Sequence, residues 1–118
     1  MADITNRDRL GWQRDAHAAQ GEFLATAIEL DLPAVTWTIA VSGALVGDVD
    51  SLTTAPAAMR ATFSTWSGVL GAAVTPERVD SSGTAHLYAQ FVWSKNDLVR
   101  GAIRATIHPP FDADGGGL

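Results

Sequence analysis

The run from Ala85 to Ile107 admits one antiparallel register in which every residue has a sensible partner. With Lys95-Asn96-Asp97 as the loop, Trp93 faces Val99, Phe91 faces Gly101, Ala89 faces Ile103, Leu87 faces Ala105 and Ala85 faces Ile107. Large side chains meet small ones down that side, as a packed sheet face requires. The other side sets His86, Tyr88, Gln90 and Val92 against Thr106, Arg104, Ala102 and Arg100. It is a polar surface with paired aromatic and cationic groups, and it is the place to look for function.

The periodicities before this hairpin predict the remaining elements. Trp12, Ala16, Ala19, Phe23, Ala27 and Leu30 recur at steps of three and four, with Leu24 and Ile28 widening the stripe, so a helix of about 22 residues opens the chain. Thr5 and Asp8 have the spacing of a capping box, and Leu32-Pro33 closes the helix because a residue before proline avoids the α region. Two strands follow, Val35 to Val41 and Ala44 to Val49, with Trp37, Ile39 and Val41 alternating against Thr36, Thr38 and Ala40. A three-residue loop with a bulge at Ser42-Gly43 buries Leu45 and Val49 beside Trp37 and Ile39, whereas a two-residue turn buries Val46; the first is favoured.

A second helix runs from about Ala55 to Leu70, with Met59, Phe63, Trp66 and Leu70 as its stripe, Thr53 or Thr54 as cap, Pro56 in the first turn and Gly71 as the left-handed stop. The third strand, Ala73 to Val79, contains Pro76, which removes a ladder donor and sends it to a sheet edge or a bulge. Asp80-Ser81-Ser82-Gly83 turns the chain into the long hairpin. The expected fold is therefore two-layer α+β, with two helices on one face of a five-strand, mainly antiparallel sheet in the order α-β-β-α-β-β-β. It occupies residues 1–110 as one domain, and FDADGGGL at 111–118 is read as a flexible Asp/Gly-rich tail.

Composition excludes some chemistry. The 118 residues suffice for one domain with a sizeable core, and 47% apolar against 18% charged is an ordinary globular balance. Without cysteine there are no disulfides, thiolate metal sites or thiol nucleophiles. The opening MADITNRDRLGWQRD lacks the pattern of a secretory signal, and the longest apolar stretch, Ala34 to Val49, is broken by Thr, Ser and Gly, so a cytoplasmic location and no membrane span are expected. A net charge of −5 argues against nucleic acid, for which only Arg100, Arg104 and Lys95 offer a basic patch.

No catalytic grouping emerges. Ser42, Ser64, Ser67, Ser81 and Ser82 lack a nucleophile elbow, and no phosphate-loop pattern occurs. His86 and His108 fall at the same end of adjacent strands, with His17 on the first helix, but no acidic residue stands out between the pair, so no metal is expected. Asp112, Asp114 and Gly115 resemble the start of a calcium loop without its closing acid, so no cofactor is expected. Tyr88 opposite Arg104, with Arg100 nearby, suits either a solvated sheet face or an interface, and the arginines also suit a carboxylate or phosphate. Trp37, Trp66 and Trp93 fall on buried stripes, while Trp12, in the opening turns of the first helix, suits core packing or a contact with another chain.

The segments LPAVTWTIAVSGALVGDVD, MRATFSTWSGVLGA, SSGTAHLYAQF and VRGAIRATI together resemble small uncharacterised proteins of actinobacteria and their mobile elements. The resemblance implies a single-domain cytoplasmic unit and brings no functional residue with it. The element order is also similar to that of roadblock or profilin-like domains, a likeness of topology alone.

The functional expectation is a non-enzymatic protein-interaction module, self-associating as a homodimer or binding a host protein. It would use His86, Tyr88, Gln90, Arg100 and Arg104 on the outer sheet face, or the exposed edge. The alternative is a small-ligand sensor or carrier with a pocket between helices and sheet around Trp37, Phe63, Trp66 and Phe91.

Overall fold

The computed structural model describes residues 3–50, 55–93 and 99–109. Helix α1 spans Asn6–Leu30 and is opened by the capping box, with the Thr5 hydroxyl accepting from the Asp8 amide and the Asp8 carboxylate accepting from the Thr5 amide. Strand β1 (Thr36–Ile39) and strand β2 (Leu45–Asp48) form a hairpin in the register of the three-residue loop. Gly43 takes φ 83° in that loop, and the Ala40 and Ala44 backbones close it, which leaves Leu45 fully buried. Helix α2 (Pro56–Leu70) starts on proline and stops at Gly71 in the left-handed region. The Thr53 and Thr54 caps and the Lys95-Asn96-Asp97 loop lie outside the described residues, as does the 111–118 tail.

Pro76 divides the expected third strand into β3 (Ala73–Val74) and β4 (Arg78–Val79), each pairing with β5 (Ala85–Val92) along one edge of the sheet. Strand β5 pairs with β6 (Arg100–Ile107) in the expected register, from Ala85 with Ile107 to Val92 with Arg100, and the Trp93 amide bonds the Val99 carbonyl beyond it. Among the described residues the sheet runs β1-β2-β6-β5, then β3 and β4, giving six strands where five were expected. Among the described strands every pair is antiparallel except β2 with β6.

Both helices lie on one face. Trp66 and Phe23 are almost completely buried there, above Leu87, Ala89, Phe91, Ile103 and Ala105. Removing a side chain of that size from water stabilises the fold by roughly 2–3 kcal/mol. Gly47 makes room for the Trp37 ring and Gly101 for the Phe91 ring, so the large-and-small pairing of the long hairpin extends to β1 and β2.

Two expectations about apolar faces and one about a helix end are corrected. Leu24 and Ile28 are exposed because they stand about 100° and about 140° around the helix from Phe23, which points at the core, and Leu30, on the Phe23 side, is exposed as the last residue of the helix. Val41 is exposed in the β1–β2 loop and does not continue the buried side of β1. Helix α1 ends at Asp31, which caps it at φ 54°, two residues before Pro33.

Candidate functional site

The outer face of the sheet is built from the alternate residues of β5, β6 and β2 that the helices do not cover. His86, Tyr88 and Gln90 stand opposite Thr106, Arg104 and Ala102. The parallel strand β2 adds Asp48 beside Arg104, and the guanidinium forms a fork with it, Nε to Oδ1 at 2.9 Å and Nη2 to Oδ2 at 3.0 Å. Hydrogen bonding to Asp48 raises the Arg104 pKa further above its already high ordinary value. Arg104 is thus directed across to β2, while the Tyr88 hydroxyl accepts from the Gln90 amide at 3.2 Å.

A groove of about 660 Å³ runs over this face, lined by Asp48, Thr75, Arg78, His86, Tyr88 and Arg104 among others. Its wall is the segment between β3 and β4, where Pro76 interrupts the pairing and the Thr75 amide bonds the Tyr88 carbonyl. Gln90 and Arg100 line a separate depression of about 450 Å³ beside Gly71 and Ala73. The five expected surface residues therefore share one sheet face but divide between two concavities.

At the end of the groove, His86 Nε2 lies 2.9 Å from Asp80 Oδ2. The other carboxylate oxygen accepts from the Ser82 amide, the Ser82 hydroxyl and the Thr84 amide, closing the turn that leads into β5. These bonds, with the Ser82 hydroxyl first and His86 next, hold the Asp80 carboxyl well below the usual carboxylate range. The network continues from Ser82 through the Thr84 hydroxyl to His108 Nδ1 at 3.4 Å. Asp80 is thus the acidic residue near the histidine pair that the sequence reading did not place, and the Asx-turn pattern Asp-Ser-Ser-Gly was the available signal. The carboxylate, and not the imidazole, meets the serine hydroxyl, so the order differs from one in which a histidine removes a serine proton. His17 is exposed on α1, and among the described residues no group of three or more His, Asp or Glu draws together around a metal position.

The second expected site is an aromatic cluster. Phe23 meets Trp93 at 4.7 Å, Trp37 at 5.3 Å and Phe91 at 5.6 Å between ring centres, and Trp37 meets Trp66 at 5.5 Å. Trp66 donates to the Pro33 carbonyl at 2.7 Å. A cavity of about 130 Å³ adjoins this cluster, lined by Phe23, Thr26, Trp66, Leu70, Phe91 and Trp93 among others. Trp37 belongs to the cluster without lining the cavity, and Phe63 lines a different depression with Arg60 and Ser67.

Among the described residues no helix is long and apolar enough to cross a membrane. The chain matches no protein-family model, no curated protein and no solved structure.

Proposed function

We propose that this chain is a non-enzymatic protein-interaction module that self-associates and presents the outer face of its sheet to a protein partner. The observation that carries this reading is the open groove of about 660 Å³ on a sheet face that neither helix covers, with Tyr88, His86 and two arginines on its walls. Tyrosine and arginine are enriched at interface cores, and a groove this wide admits a peptide segment or a protruding loop. Arg104 is already matched by Asp48, so the face suits a mixed polar partner better than a phosphate backbone.

Two measurements test the reading. Light scattering coupled to size exclusion should give a mass that rises with concentration above the 12.4 kDa of one chain; a constant monomer mass would remove self-association. Cross-linked complexes recovered from the native cells should contain a partner that Tyr88→Ala/Arg104→Ala loses while its thermal transition stays cooperative. Equal recovery by both proteins would remove the sheet face from that role.

A second reading, a small-ligand sensor, is favoured by the aromatic cavity. Its volume of about 130 Å³ is below the range of drug-sized pockets and near that of cavities that accept benzene. Saturable benzene-induced change in tryptophan emission would support it; a flat response would count against it.

A further inference from the structure

Helix α1 has a second stripe, turned away from the core. Arg7, Arg14, Ala18, Glu22 and Glu29 are all exposed and follow at steps of seven and four residues, close to whole helical turns, so they form one narrow strip. Gly11 and Ala25 complete it at seven residues either side of Ala18, and a Cβ at Gly11 would meet nothing within 4 Å.

The charges on this strip oppose the helix dipole. Arginine stands in the first turn, where the positive end lies, the last turn has no basic residue, and Glu29 stands there instead. Arg7 and Glu29 form no ion pair among the described residues. The outermost of these charges match a second copy laid antiparallel: about a two-fold axis at Ala18, Arg7 meets Glu29 of the second copy and Gly11 meets Ala25, while Arg14, 3.8 Å from Asp15 in its own helix, comes level with Glu22. A parallel copy stacks like on like. Leu10 and Ile28, 57% and 84% exposed, lie five whole turns apart on one flank, and the same axis brings each to within two residues, about 3 Å along the helix, of the other on the second copy. Small residues every seven positions let the backbones approach closely, and antiparallel dipoles attract.

We propose that α1 is the self-association face, packed antiparallel on α1 of a second copy about a two-fold axis at Ala18. This rests on the self-associating part of the reading above, and it leaves the outer sheet face free for a different partner. Isologous contact of this kind closes at two copies.

Sedimentation equilibrium of the full chain tests it with Arg7→Glu, Glu29→Arg and the double variant. Each single reversal should weaken dimerisation at least tenfold, and the double variant should return to within threefold of the parent. Both reversals place charge in line with the helix dipole, so helicity by circular dichroism should hold or rise while association falls. Ala18→Cys, in a chain without cysteine, should oxidise to a covalent dimer, and Thr65→Cys on the exposed side of α2 should not. A dimer indifferent to both reversals and to Ala18→Cys would overturn the α1 packing alone. A monomer at every concentration would overturn self-association as well.

Discussion

A Cβ placed on Gly101 would lie 1.8 Å from the Leu45 carbonyl oxygen and 2.7 Å from the end of the Phe91 ring. One neighbour is backbone, so it cannot yield by changing rotamer. Gly101→Ala should therefore lose about 2–3 kcal/mol or more of stability, read as a lower denaturation midpoint in urea. Gly47→Ala meets the movable side chains of Ile103 and Trp37, so its loss should be smaller. Asp80 acts through charge at the opposite end of the sheet. Its carboxyl is held below the ordinary range, so its contribution is complete above the ordinary carboxylate pKa and is lost as pH falls from there toward the lowered value. The parent should lose unfolding temperature more steeply than Asp80→Ala between pH 5 and pH 3, and parallel curves would show that Asp80 contributes nothing to the acid limb.

Among the elements, α2 packs tightly and carries one polar misfit. Ser67 is buried, and its hydroxyl has no hydrogen-bond partner among the described residues. Alanine removes that unsatisfied group and is the better helix former, so Ser67→Ala should be neutral or stabilise by up to about 1 kcal/mol in denaturant titration. The hairpin β5–β6 was legible in the sequence because its partners alternate large and small over many rungs, which leaves one workable register. The β1–β2 loop was legible for a similar reason, since only the three-residue form hides Leu45. The outer flank of α1 was not. Apolar spacing around Leu24 and Ile28 reads the same whether the neighbour that covers them is in the same chain or absent from it.

For the molecule as a whole, β6 is the strand on which the fold depends. It pairs with β2 on one side and β5 on the other, and its Ile103 and Ala105 lie under the helices. A chain ending at residue 93 takes the central partner from both neighbours, separates the β1–β2 hairpin from β5 and its edge strands, and exposes the helical layer, so it should show no cooperative thermal transition by circular dichroism. A sharp transition in that fragment would mean that β6 is an accessory.

The candidate site shows the same division between local and distant contacts. Its Tyr88–Arg104 rung follows from the alternation of a hairpin, in which partners are close in sequence, and could be placed from residues alone. Its Asp48–Arg104 fork depends on β2 lying parallel to β6, a pairing of residues 56 positions apart that no local pattern encodes. The sequence by itself determined the helices, the two hairpin registers, the inner face of the sheet and the polar character of the outer one, because hydrophobic periods and turn residues act over a few positions. Only the tertiary structure decided the strand order, the splitting of the Pro76 strand, the matching of Arg104 and the exposed flank of α1, because these depend on which distant surfaces come to cover one another.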